Sequence, residues 1–241
     1  MSIEKNQTAS KKNKKQIGLS TQRMVGIAIF SALAFIIALI CNPIPPVAGF
    51  LSFDVKDAII TVASFIYGPI SAVIISFIAA FIEFITFSTT GWYGLVMNFV
   101  SSAVFSLTAS LIYSKRRSFG GSLIAIYSAV VTTTSVMLLM NMLVTPWYLV
   151  YIGLPYEVAR GTVADYLPKY LLPFNFAKTL LNSSIVMFLY KPLSIALSNV
   201  GLGAKSLGKF KWSKKTAIAA SAAAVALIGS MGIMIYLWMQ G

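Results

Sequence analysis

The sequence predicts an all-α integral membrane protein, with a six-helix transmembrane core and an additional C-terminal transmembrane helix. Hydrophobic residues make up 58% of the 241 residues and charged residues only 10%, so a soluble fold would expose a very large apolar surface. The long apolar runs match the roughly 20 residues that cross a bilayer. Fifteen of the 19 lysines and arginines fall in three clusters, at 5–23, 115–117 and 191–215, and cytoplasmic loops are enriched in these residues.

The charge pattern also predicts the orientation and the environment of the chain. With the three clusters inside, the N-terminus is cytoplasmic and the chain is a multi-pass protein of the cell membrane. The basic residues that give the chain its formal net charge of +13 are then expected to contact anionic headgroups of the lipid bilayer. No nucleic-acid partner is inferred. Four basic residues remain, and they are expected outside the membrane or near the outer end of a helix: Lys56, Arg160, Lys169 and Lys178.

Turn signals divide the chain into elements. Proline residues at 43, 45 and 46 end the first helix, and Gly68-Pro69 separates a short second helix from the third. The outer stretch 147–170 is expected to be a functional loop such as a lid. The predicted helices are 24–40, 58–67, 70–87, 95–113, 122–143, 172–190 and 216–239. The predicted domains are a Lys-rich cytoplasmic tail at 1–22, the six-helix membrane domain at 23–192, a basic cytoplasmic linker at 193–215 and the extra helix at 216–241.

Polar side chains inside the apolar runs point to a binding site. An ionisable side chain costs about 2.5–3.5 kcal/mol at the centre of an inserted helix, so one that is present usually faces a cavity or a partner. Asn175, Lys178 and Asn182 share one helical face and are interpreted as a ligand-facing stripe, with snorkelling of Lys178 to the interface as the alternative. Glu83 is expected to form a buried pair with Lys178, which is compatible with lining a pocket.

Further polar and aromatic groups fall in the same outer half of the membrane. Asn141 in the fifth helix either binds a ligand or forms a hydrogen bond between helices. Asn98 opens the fourth helix, and Phe53 and Asp54 close the first outer loop. Together these residues predict an outward-facing pocket for a small polar or aromatic molecule.

The sequence offers little for catalysis. It has no histidine, which is the commonest metal ligand and proton shuttle, and its single cysteine, Cys41, cannot form an internal disulfide. We therefore predict no enzyme activity, no metal site and no cofactor. The segment 201–206 lacks a glycine directly before its lysine and is not a phosphate-binding loop. Uphill transport would need an ion gradient or another subunit.

An ordered set of short motifs carries a resemblance to a known family. The motifs are Phe50-Leu51-Ser52-Phe53-Asp54, Gly68-Pro69, Gly94 with Asn98-Phe99, and Pro173-Phe174-Asn175 with Lys178. Over residues 24–192 the chain resembles the substrate-binding S components of energy-coupling factor vitamin transporters, and it is most similar to the riboflavin-specific branch. Two features depart from that pattern: the seventh helix, and Glu83 at a position where a basic or amide residue is expected.

The resemblance implies a vitamin-binding subunit without its own ATPase activity. Such a subunit works with a transmembrane coupling protein and two ATPases, and riboflavin would be its transported ligand. By the resemblance, Ala28 and Ala32 dock the coupling protein, and the first outer loop acts as a gate. Asn141, Asn175 and Lys178 match positions that contact the flavin. Pantothenate, folate or a thiamine precursor are the alternative ligands, and a stand-alone secondary transporter is the alternative class.

Overall fold

A computed structural model describes residues 21–116, 119–199 and 214–240, and in these ranges every regular element is helical. The α-helices are α1 (Thr21–Cys41), α2 (Lys56–Tyr67), α3 (Pro69–Thr86), α4 (Gly91–Lys115), α5 (Phe119–Tyr151), α6 (Tyr156–Tyr166), α7 (Leu172–Asn199) and α8 (Lys214–Gln240). A π-helical segment, Leu167–Leu171, joins α6 to α7. The all-α fold predicted from the sequence is confirmed.

Five of the described helices are long and apolar enough to cross a membrane. They are Thr21–Cys41, Pro69–Thr86, Gly91–Lys115, Gly120–Tyr151 and Ala217–Gln240. The chain is therefore a multi-pass membrane protein. Most of the predicted tail at 1–22 and of the predicted linker at 193–215 lies outside the described residues, so the division into domains stays a prediction.

The short helix α2 forms the centre of the bundle. Its residues from Lys56 to Phe65 are all buried, because α1, α3, α4 and α7 surround it. Gly68 lies at φ +93°, a conformation that glycine adopts without strain, and Pro69 starts the next helix, so the chain reverses directly into α3. With 12 residues, α2 is about 18 Å long and does not reach across a bilayer by itself.

Small hydroxyl side chains hold α2 against α4. The Thr61 and Ser106 hydroxyls lie 3.0 Å apart, and the Ser110 hydroxyl donates to the Ser64 carbonyl at 2.9 Å. Small and hydroxyl-bearing residues allow membrane helices to approach closely and to hydrogen-bond to each other. The two helices run in the same direction, so the beginning of α2 lies beside the middle of α4, where the Ser102 hydroxyl donates to Asp57.

The prediction that 147–170 is a loop was wrong. Helix α5 continues through Pro146 to Tyr151, and α6 and the π-helical segment occupy most of the remaining stretch. Proline removes one backbone donor, but helices in membrane proteins tolerate it where neighbouring groups compensate. Ala159 and Val163, four residues apart on α6, are buried in a core cluster with Leu149 and Leu171, so packing rather than local sequence decides this segment.

Helix α8 packs along α7. Met234 and Leu237 join the same core cluster as Phe174 and Ala177 of α7. At its end, the Tyr170 hydroxyl donates to the Gln240 carbonyl at 3.0 Å. The additional C-terminal helix therefore lies behind the helix that carries Asn175 and Lys178.

Candidate ligand-binding pocket

A cavity opens at the end of the bundle where α1 and α5 end and where α4 and α7 begin. It encloses about 670 Å³ of empty space, part of it open to the exterior. Its lining of aromatic and apolar side chains with a few polar groups is the usual composition of a small-molecule pocket. Its walls come from the first loop at Phe50–Ser52, the beginning of α4, the end of α5 and the beginning of α7.

Four of the polar residues predicted from the sequence line this cavity. Asn98 comes from α4, Asn141 from α5, and Asn175 and Lys178 from α7. Asn141 and Asn175 each donate to the carbonyl four residues earlier, both at 2.7 Å, and Asn141 also accepts from the Thr145 hydroxyl at 2.9 Å. A carboxamide can make about four hydrogen bonds, so both groups are fixed and still have capacity toward a ligand.

Aromatic rings form another part of the wall. Tyr148 of α5 lies between Phe50 of the first loop and Tyr93 of α4, with ring centroids 6.1 and 5.9 Å away. Phe174 lines the pocket from α7. Rings at these separations give an apolar surface on which a flat ligand can stack.

Asn182, the last member of the predicted stripe, holds α2 in place. Its side-chain oxygen accepts from the backbone N–H of Ala58 at 2.8 Å, and its Nδ2 donates to the Asp54 carbonyl at 3.3 Å. The first N–H groups of a helix lack partners within that helix, so Asn182 satisfies one of them for α2. The stripe therefore divides into Asn175 and Lys178, which line the cavity, and Asn182, which has a structural role.

The other three predicted site residues lie behind the lining residues. Phe53 packs against the core cluster that contains Phe174. Asp54 accepts from Lys178 Nζ at 2.7 Å, and Glu83 Oε2 accepts from Asn98 Nδ2 at 3.2 Å. Both carboxylates support a residue that lines the pocket. The assignment of Phe53, Asp54 and Glu83 as ligand contacts stays a prediction.

Lys56 is the functional candidate that sequence reasoning missed. It was expected outside the membrane or near the outer end of a helix, and it is the first residue of α2, but its burial, with only 1% of its surface exposed, was not predicted. The expected pairing of Glu83 with Lys178 was also wrong, because Lys56 Nζ lies 2.6 Å from Glu83 Oε2 and Lys178 pairs with Asp54. Burial opposes ionisation of Asp54, but Lys178 and Lys56 outweigh it and hold the pKa of this carboxyl below its usual value.

The predicted docking residues lie on the side of α1 that faces away from the helix bundle. Ala28 and Ala32 are exposed, whereas Ala34 and Ala38, at the same spacing, are buried. The two alanine pairs thus point to different sides of the helix. The docking role of Ala28 and Ala32 stays a prediction.

Comparison with known proteins identifies the family to which this chain belongs. The family described as "ECF transporter, substrate-specific component" matches residues 22–194. The chain belongs to this family. The match covers the bundle from α1 through most of α7 and ends before α8 begins. The predicted resemblance to energy-coupling factor S components is confirmed, and the family implies association with membrane components of an ECF module and with a vitamin substrate.

Two curated relatives are riboflavin transporters. RibU of Staphylococcus aureus is 27% identical over 182 residues, which are 74% of this chain and 94% of that protein. FmnP of Bacillus subtilis is 23% identical over 163 residues, which are 66% of this chain and 85% of that protein. The chain thus resembles most of the length of each relative.

A solved structure matches the same part of the chain. It is described as the structure of the S component of a bacterial ECF transporter, and it aligns with a TM-score of 0.61 and 26% identity. The alignment covers 74% of this chain and 99% of the solved chain. The fold of the membrane domain is therefore that of an ECF S component.

Proposed function

We propose that this chain is the riboflavin-binding subunit of an ECF importer. It binds riboflavin from the outer side of the membrane and delivers it together with a coupling protein and two ATPases. The observation that carries the proposal is the convergence of Asn141, Asn175 and Lys178, from two helices, on one cavity. The naming of RibU and FmnP as riboflavin transporters supports the choice of vitamin.

The chemistry of the cavity suits a flavin. Riboflavin has a flat tricyclic ring with hydrogen-bond donors and acceptors along one edge, and a flexible polyol chain. Two carboxamides and an ammonium group can read the polar edge, since each carboxamide both donates and accepts. Tyr148 and Phe174 line the same cavity and give the ring an aromatic surface.

The position of the basic residues supports an outward-facing cavity. Asn98 is near the beginning of α4, whereas Lys115 and Arg116 lie at or just beyond its end. The 25 residues of α4 span about 37 Å, so these bases and the cavity lie near opposite membrane surfaces. If Lys- and Arg-rich ends are cytoplasmic, the cavity opens outward and the N-terminus is inside.

Riboflavin binding by the purified protein tests the proposal directly. Protein isolated in mild detergent from riboflavin-replete cells should show flavin absorbance bands at about one flavin per chain. After removal of the flavin, titration with riboflavin should quench the fluorescence of the vitamin, because nearby aromatic side chains quench a stacked flavin. A colourless protein that leaves flavin fluorescence unchanged would contradict riboflavin as the ligand and leave the family membership intact.

Transport should depend on the partners. In proteoliposomes, this chain alone should accumulate no riboflavin above the external concentration. Addition of the coupling protein and both ATPases, with ATP in the lumen, should produce uphill uptake. Uptake by the chain alone, driven by an ion gradient, would show a stand-alone transporter instead.

A further inference from the structure

Five charged side chains are buried together beneath the cavity. They are Asp54, Lys56, Asp57, Glu83 and Lys178, and each is no more than 6% exposed. Three acids and two lysines give the group a formal net charge of −1. Buried charges are costly unless each is paired and hydrogen-bonded, so the group must be held by its internal contacts. Of the five, Lys178 alone lines the cavity.

Lys56 lies between two of the carboxylates. Its ammonium nitrogen is 2.6 Å from Glu83 Oε2 and 3.6 Å from Asp54 Oδ2. Its backbone N–H also donates to Asp54 Oδ1 at 3.3 Å. One cation therefore links α2 to α3 and to the end of the first loop.

Both carboxylates that Lys56 contacts also hold a residue of the cavity wall. Glu83 accepts from Asn98 on one wall, and Asp54 accepts from Lys178 on another. The result is a continuous path, Asn98, Glu83, Lys56, Asp54 and Lys178, whose two ends face the cavity from α4 and α7. Asp57 belongs to a side branch, since it accepts from the Ser102 hydroxyl of α4 at 2.5 Å.

We propose that Lys56 is a positioning residue for ligand binding, which fixes Asn98 and Lys178 relative to each other through Glu83 and Asp54. This proposal rests on the proposed function. Lys56 does not line the cavity and acts through the two carboxylates. Lys56 neutralises Glu83 and shares the carboxylate of Asp54 with Lys178, so Lys178 stays directed to the cavity.

The contacts of Glu83 explain why Lys56 is needed. Within the described residues Glu83 Oε1 has no hydrogen-bond partner, so Oε2 carries the contacts with both Lys56 and Asn98. Without Lys56, two buried carboxylates, Asp54 and Glu83, compete for Lys178. An uncompensated buried charge is strongly unfavourable, and drawing Lys178 toward the acids would remove it from the ligand.

A double-mutant cycle tests the proposal. Riboflavin affinity is measured by fluorescence titration for Lys56→Met, Glu83→Gln and the double variant, each confirmed as a folded monodisperse protein. Each single change should weaken binding by about tenfold or more, since each removes the ion pair between Lys56 and Glu83 that connects the two walls. The double variant should bind no more weakly than the weaker of the two single variants, because both changes remove the same ion pair and their losses therefore do not add.

Controls separate positioning from general stability. Lys169→Met, at an exposed lysine outside the group, should leave affinity unchanged. A purely structural Lys56 would lower the thermal unfolding midpoint and leave the affinity of the folded protein unchanged. Single changes without effect on affinity, or losses that add in the double variant, would overturn the proposal. If one single variant does not fold, the remaining single and the double variant decide by the same comparison.

Riboflavin binding by the unmutated protein is measured before that of the variants, because it separates the two proposals. Failure of the unmutated protein to bind riboflavin contradicts the proposed function. Normal binding with no coupling between Lys56 and Glu83 contradicts only the positioning role.

Discussion

Replacing Lys178 with methionine should weaken riboflavin binding by about 100-fold, which corresponds to about 2.7 kcal/mol. Lys178 lines the cavity and donates to Asp54 at 2.7 Å, so the change removes the proposed charged contact with riboflavin and frees the loop that Asp54 ends. Hydrogen bonds to charged groups contribute about 1.5–3 kcal/mol, and leaving a buried partner unsatisfied adds to the loss. Fluorescence titration of the detergent-purified variant measures the effect.

The fold should survive this change, because Asp54 keeps Lys56 as a second cation at 3.6 Å. Lys169→Met is the matched control, since it makes the same substitution at an exposed lysine. A folded Lys178→Met protein that binds riboflavin within threefold of the unmutated protein would limit Lys178 to holding the first loop.

Asn175→Leu, which removes the carboxamide at nearly constant volume, should weaken riboflavin binding by about 5-fold to 150-fold, equivalent to about 1–3 kcal/mol.

The sequence allowed the fold to be predicted where one local rule dominates. Apolar runs between basic clusters identify membrane helices, and Gly68-Pro69 marks a chain reversal whatever packs around it. The interval 147–170 was missed because its helices depend on tertiary packing. Ala159 and Val163 carry no strong local signal, and their burial against Leu149 and Leu171 stabilises α6. Local propensity is a weak guide where such contacts decide.

The candidate site was predictable to a similar extent. Asn98, Asn141, Asn175 and Lys178 are polar residues in apolar runs, and the structure brings all four to one cavity. The pairing of the charges was not predictable, because Lys56 is 27 residues from Glu83 in the sequence and lies on a helix too short to span the membrane. The rule that places basic residues near helix ends fits the position of Lys56 at the start of α2 but does not predict its burial. An acid in one apolar run and a base at the start of another were the only signals for this contact.

Tryptophan at both Ala28 and Ala32 should abolish co-purification with the coupling protein and leave riboflavin binding intact. The two alanines are exposed on α1, with Val25 and Ile29 also exposed on the outer surface of this helix. Small residues four apart let a second membrane helix approach closely, and indole rings at both positions would keep it away. Binding should be spared because none of these residues lines the cavity. Affinity purification after co-expression with the coupling protein and ATPases measures assembly, and flavin titration measures binding.

The matched control for this change is Ala222→Trp on α8, which is also exposed but lies beyond the part of the chain that matches the family. Because α8 packs along α7 and α1 packs on α2 and α3, the control adds the same bulky side chain to a different part of the molecular surface. It should reduce neither assembly nor binding. Assembly that persists with tryptophan at both Ala28 and Ala32 would contradict docking on this face of α1. Loss of assembly in the α8 variant would instead show that the additional helix takes part in the interface.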